Sequence, residues 1–224
     1  MSTRFPQNRD AGGRGRITLP RSATTIIASV TALFSLGILL LNKVQLAASL
    51  MGFVPARLSG DFALSPAIPA VLTPLSATIV HGSVFHLAMN LLVLVWCGRA
   101  VERIIGAGPT VILYLVGAFA AAAAQYVVDP HSLVPMIGAS GAISALIGAF
   151  ALTYGRPKPL VKSPFLNRTL NIAWLLAAWI VLQLMVAYLL GQQGMLLATP
   201  AHIGGFLAGL ALNRPLLMWR YRNA

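Results

Sequence analysis

The sequence predicts an all-α membrane protein, a bundle of six transmembrane helices with both termini cytoplasmic. Three observations carry that expectation. Of 224 residues, 58% are hydrophobic and 9% charged, and the mean hydropathy is +0.81; a soluble domain carries about 25% charged residues. Six apolar runs, most of them long enough for about 30 Å of hydrocarbon, are separated by polar or proline-broken segments. The Lys and Arg residues are also unevenly placed. Residues 1–22, 99–108, 155–169 and the end from Arg214 hold 5, 2, 4 and 3 of them, 14 of 16, leaving Lys43 and Arg57 for the opposite side. The positive-inside rule makes the four rich segments cytoplasmic. Topology thus accounts for the net charge of +12, and nucleic-acid binding is not needed to explain it.

Residues 1–22 are polar, glycine-rich and basic, with Arg4, Arg9, Arg14, Arg16 and Arg21, and read as a disordered cytoplasmic tail. The membrane domain is expected over residues 23–219, with a short basic tail at 220–224. The run from Thr24 to Leu41 is too long for a signal-peptide core and leads into a polytopic chain, so it is the first span. Lys43 at its far end can snorkel to the interface. Residues 44–79, broken by Pro55, Pro66, Pro69 and Pro74, form a connector whose apolar pieces are too short to span. Leu46–Phe53 suits a short interfacial helix. The second span runs from Val84 to Gly98 and ends in Arg99, Glu102 and Arg103; the third runs from Pro109 to Val128. Asp129-Pro130-His131-Ser132 breaks the chain before the short fourth span, Ser140 to Tyr154. A basic loop, Gly155-Arg156-Pro157-Lys158-Pro159, precedes the fifth span, Leu170 to Leu190. Gly191-Gln192-Gln193-Gly194 is a flexible turn, and the sixth span runs from Pro200 to Trp219. The lone Cys97 rules out an intrachain disulfide and reads as a packing residue. Phe165, Trp174 and Trp179 read as lipid-facing or interfacial aromatics.

In this topology the second, fourth and sixth helices all start on the external side, and the polar residues of these apolar segments gather there. His86 and Asn90 stand at i, i+4 on one face of the second helix. Ser140 opens the fourth, within Ile137-Gly138-Ala139-Ser140-Gly141-Ala142, where small neighbours let another group approach its Oγ. The orphan N–H groups of a first turn favour negative charge there. His202 opens the sixth. Polar groups inside a membrane are costly and face a cavity or one another. Gly205 and Gly209 form a GxxxG step, and Gly141, Ser144 and Gly148 offer the fourth helix as its partner. Such packing brings Ser140 Oγ within reach of a His202 ring nitrogen, the minimum for nucleophilic acyl transfer. His86, Asn90 and the Ser140 N–H are candidate donors to the developing oxyanion. The acidic residues are Asp10, Asp61, Glu102 and Asp129; none lies in a transmembrane segment beside His202, which favours a dyad over an Asp-completed triad.

On His86-x-x-x-Asn90, Gly138-Ala139-Ser140-Gly141 and Ala201-His202-x-Gly204-Gly205, in this order over residues 24–218, the chain resembles the rhomboid family of intramembrane serine proteases in its six-helix bacterial form. The resemblance implies Ser140 as nucleophile and His202 as general base and acid, with His86, Asn90 and the Ser140 N–H as the oxyanion site. It also implies a water-filled cavity open to the external side, lateral entry of a substrate transmembrane segment near helices two and five, and a mobile loop at Gly191 to Gly194. His81 matches a position where the family often has a second histidine, with a structural or supporting role. Two positions depart from the family pattern. Ser144 stands where an aromatic often packs against the histidine, and Arg57 lacks the tryptophan often paired with it.

The expected function is therefore cleavage of single-pass or other membrane-anchored proteins, in or near their transmembrane segment, in a bacterial inner membrane with the site facing the periplasm. Two other readings are a non-catalytic rhomboid-like protein that binds transmembrane segments and a small transporter. The first class typically loses the serine or the histidine, and both are present; the second often shows internal repeats, and none is visible. No nucleotide motif occurs. His81, His86, His131 and His202 have neither carboxylate nor cysteine companions for a metal, so no cofactor and no metal are expected.

Overall fold

A computed structural model describes residues 22–155, 161–191 and 198–222. Helix α1 (Ala23–Leu40) is capped by Ser22, whose Oγ accepts from the Thr25 N–H at 3.3 Å. A second acceptor serves the same turn. The Glu102 carboxylate accepts from the Ala23 and Thr24 N–H groups at 2.8 and 2.9 Å, and from the Ser22 and Thr24 hydroxyls at 2.7 and 2.6 Å. It satisfies donors that a helix start leaves orphaned and opposes the positive end of the dipole. Near the other end of α1, Ser35 Oγ donates to the Ile79 carbonyl at 2.8 Å. Helix α1 therefore runs antiparallel to the segment that leads from Ile79 to Glu102.

The connector folds back on itself. It contains α2 (Val44–Met51), α3 (Pro55–Ser59) and α4 (Thr73–Ser76), the last flanked by single 3-10 turns. The expected helix at Leu46–Phe53 is present but shifted to Val44–Met51; Gly52 is extended (φ −69°, ψ 153°) and Phe53 turns inward instead. Phe53 is buried and pairs with Met136 through N–H···O bonds of 3.0 and 2.8 Å. Ser59 Oγ donates to the Pro130 carbonyl at 2.8 Å, and Ser76 Oγ to the Met51 carbonyl at 2.6 Å. The Ser76 bond closes the connector on itself, and the Phe53 and Ser59 bonds fasten it to residues 130–136, directly before the fourth apolar run.

The second run is α5 (Val84–Val93), a π-helical turn at Leu94–Gly98 and α6 (Arg99–Ile105). The expected end at Gly98 is too early. Arg99, Glu102 and Arg103 end the apolar run but not the helix, which stops only at Gly106 with φ +87°, a backbone that L side chains avoid. Then come α7 (Ala107–Val128), α8 (Ser140–Tyr154), α9 (Pro164–Gly191) and α10 (Thr199–Arg220). Helix α9 starts six residues before the expected Leu170, because Ser163 Oγ accepts from the Leu166 N–H at 3.3 Å and Pro164 suits the first helical position. The expectations for residues 1–21, for Arg156 to Pro159 and for Gln192 to Gly194 lie outside the described residues.

Among the described residues there is no strand, and four helices are long and apolar enough to cross a membrane: Ala23–Leu40, Val84–Ile105, Ala107–Val128 and Pro164–Met185. Helix α8 is apolar but has 15 residues; α10 has 22 residues but carries His202, Asn213 and Arg214. Helix α8 is apolar all round and correspondingly central. A Cβ on Gly205 would collide with the Gly141 carbonyl, one on Gly209 with the Ala145 carbonyl, and one on Gly148 with the Phe206 carbonyl. On its other side, a Cβ on Gly117 of α7 would sit 2.6 Å from Ala145 Cβ. Small residues thus let α7, α8 and α10 pack backbone to backbone. At the end marked by Glu102, Tyr154 donates to the Ala100 carbonyl and Tyr221 to the Ile104 carbonyl, both at 3.0 Å. The starts of α5, α8 and α10 face the opposite end.

Candidate active site

The turn into α8 is fixed from below by residues 77–81. Gly138 has φ +107°, and its N–H donates to the Ala77 carbonyl at 2.9 Å. A Cβ on Gly138 would lie 2.8 Å from both Cε1 and Nε2 of His86, so only glycine admits the imidazole here. The Ala139 N–H donates to His81 Nε2 at 3.4 Å. Ser35 gives its hydroxyl hydrogen to Ile79, so its oxygen accepts from His81 Nδ1, 2.9 Å away. His81 is fully buried. It is therefore a neutral bridge between α1 and the residue before Ser140. Ser140, the first residue of α8, presents an N–H with no intrahelical acceptor.

His202 stands in the first turn of α10, after Pro200 at the helix start. The Gly205 and Gly209 contacts with α8 bring its Nε2 to 2.7 Å from Ser140 Oγ. The imidazole is 7% exposed. Among the described residues its ring has one further bonded side chain, which the sequence reading missed: Gln183 Oε1 of α9 lies 2.7 Å from His202 Nδ1. A signal for it existed. Gln183 is the one amide in the run from Ile172 to Leu190, about two turns from its Leu190 end, the end toward which the other polar groups lie. Trp179, expected as a lipid-facing or interfacial aromatic, is partly buried against α10. Its Nε1–H donates to the His202 carbonyl at 3.3 Å, and its ring stacks on Phe206 at 5.0 Å and 10°. One indole thus meets both a polar and an apolar group of α10.

His86 and Asn90 are on one face of α5, as the spacing requires. The His86 ring lies over Gly138 and meets His81 edge to face, with centroids 4.9 Å apart. Asn90 donates from Nδ2 to the His86 carbonyl at 2.9 Å, while its buried Oδ1 has no hydrogen-bond partner among the described residues. Ser144 gives its hydroxyl to the Ser140 carbonyl at 2.8 Å. A cavity beside Ser140 and His202 is lined chiefly by small side chains, among them Ala77, Ala118, Ala121, Gly141 and Ala201. Asp61 pairs with His131 at 2.8 Å on the exposed surface. Among the described residues, no three His, Cys, Asp or Glu side chains come together as a metal site would require. A hydroxyl bonded to a buried imidazole, beside a first-turn N–H that has no intrahelical acceptor, is a constellation for nucleophilic acyl transfer.

Comparison with known proteins gives a consistent result. A sequence model of the Rhomboid domain matches residues 70–219. Rhomboid protease GluP of Bacillus subtilis (strain 168) is 39% identical over 79 residues, which are 35% of this chain and 14% of that protein. Rhomboid protease GlpG of Enterobacter sp. (strain 638) is 31% identical over 137 residues, 60% of this chain and 44% of that protein. RHOMBOID-like protein 4 of Arabidopsis thaliana is 32% identical over 146 residues, 64% of this chain and 34% of that protein. The matches thus span less than half the length of each of these relatives.

Proposed function

The chain belongs to the rhomboid family, and from that premise we propose that it is an intramembrane serine endopeptidase that cuts membrane-anchored proteins in or near their transmembrane segment. The observation that carries this reading is the 2.7 Å separation of Ser140 Oγ and His202 Nε2 at the starts of two helices packed backbone to backbone. His202 Nε2 takes the hydroxyl proton as Ser140 Oγ adds to the scissile carbonyl. The oxyanion is stabilised by the Ser140 N–H, His86 and Asn90. His202 then returns the proton to the leaving amine, and water, activated by the same imidazole, releases the acyl group. The small side chains around the cavity favour a substrate with small residues at the cut, in a stretch where its helix is easily opened. Six helices span the membrane in this reading, α8 and α10 included. The Lys and Arg distribution supports cytoplasmic termini and a dyad toward the external side, the periplasm in a bacterial inner membrane.

The test is cleavage of a single-span model substrate by the purified full chain in detergent. Ser140→Ala and His202→Ala are expected to abolish cleavage with folding retained, and a fluorophosphonate is expected to label the wild type but not Ser140→Ala. Equal cleavage by all three proteins would remove the dyad assignment. Binding of the substrate without cleavage or labelling would point to a non-catalytic relative.

A further inference from the structure

Helix α9 is the least embedded of the long helices. Among its described side chains Gln183 alone is buried, at 7% exposure. An amide in an apolar, outward-facing helix is costly unless a partner satisfies it. Its partner is His202 Nδ1, at 2.7 Å. An amide oxygen can only accept, so Nδ1 must carry the proton, and the neutral ring then presents its Nε2 lone pair to Ser140 Oγ. The opposite tautomer would point an N–H at Ser140 and leave no base there. Trp179, one turn earlier on α9, seats the same turn of α10 through the His202 carbonyl. No carboxylate is bonded to His202 among the described residues, and the hydroxyl of Ser144 is turned to its own helix.

We propose that Gln183 is a positioning residue: its Oε1 holds the His202 proton on Nδ1 and thereby turns Nε2 into the base for Ser140. This inference rests on the protease reading for its catalytic consequence, but not for the tautomer itself. An amide orients the ring without a full charge, so it supports the imidazolium less than a carboxylate would.

The experiment combines a direct view of the ring with kinetics. In full-length protein carrying 15N-histidine, the His202 signals are assigned by their loss in His202→Ala. The wild type is expected to show the Nδ1–H tautomer, and Gln183→Leu, of similar volume, a mixture or the Nε2–H form. Gln183→Leu is expected to lower kcat by about 10- to 100-fold, a part of what a positioned base contributes, with KM and thermal midpoint nearly unchanged. Gln183→Glu is expected to restore kcat. Because an opposite charge favours the protonated imidazole, it should move the acidic limb of kcat/KM to higher pH by about one unit or more. A wild-type ring protonated on Nε2, or a Gln183→Leu variant with unaltered tautomer, kcat and pH profile, would overturn the proposal. A tautomer that depends on Gln183 in a protein whose Ser140→Ala variant still cleaves would instead support the positioning contact and remove the Ser140–His202 dyad assignment.

Discussion

Ser144 and Gln183 divide between them what a single neighbour of His202 could have done. Ser144, one turn into α8, bonds back to the Ser140 carbonyl and supports that serine's own turn, while the imidazole is held from α9. His86 raises a different question, since its ring both packs over Gly138 and brings Nε2 to that residue, beside Ser140. His86→Phe keeps the ring and removes the donors. It is expected to lower kcat about 100-fold with little change in KM, the usual cost of removing one oxyanion donor; unchanged steady-state kinetics would make the ring a packing element only. Ser140, His86 and His202 were legible as candidates because each lies in the first turn of an apolar segment, where polar groups are expensive, and Asn90 because it follows His86 at i+4. Gln183 was not read. It stands nineteen positions before its partner, and an amide in the body of a run lacks the helix-start context that singled out the others.

The helices that matter most to the site touch through glycine. Gly205 and Gly209 of α10 and Gly148 of α8 leave no room for a Cβ against the opposing carbonyls. Substituting Gly209 by valine would force the two helices apart, lengthening the Ser140–His202 contact. The expected effect is a loss of about 2–4 kcal/mol, the range of severe overpacking, together with loss of cleavage. Gly37→Ala on α1, where a Cβ would meet nothing within 4 Å, serves as the control and is expected to be neutral or stabilising by up to about 1 kcal/mol. Thermal unfolding in detergent with parallel cleavage assays measures both, and equal behaviour of the two variants would refute the packing argument. The GxxxG step was readable in the sequence. The ends of α6 and α9 were misplaced because hydropathy marks where a segment leaves the apolar phase, whereas caps mark where a helix stops. Gly106 and the Ser163-Pro164 pair carried that second kind of information.

Across the whole molecule, the start of α1 and the ends of α6, α8 and α10 are fastened together at one end, and the candidate site lies toward the other. The proposed orientation is open to a direct check. In a Cys97→Ala background, Lys43→Cys should react with a membrane-impermeant maleimide on intact spheroplasts, and Arg222→Cys only after permeabilisation; the reverse pattern would invert the topology. Six runs and their charge asymmetry sufficed to suggest this arrangement, because both are one-dimensional signals. The folded connector was not foreseeable, since its order comes from contacts such as Phe53 with Met136 that join distant segments. The Glu102 clasp has a consequence in time. Thr24 and Glu102 are 78 residues apart, so at about 5–20 residues per second the ribosome needs several seconds to deliver the carboxylate after the donors. Throughout that interval, of the two acceptors at the start of the first helix, only Ser22 has been made. The helix is made before its clasp and becomes locked only when the second apolar run is complete, so the step that secures it belongs to the nascent chain's later history.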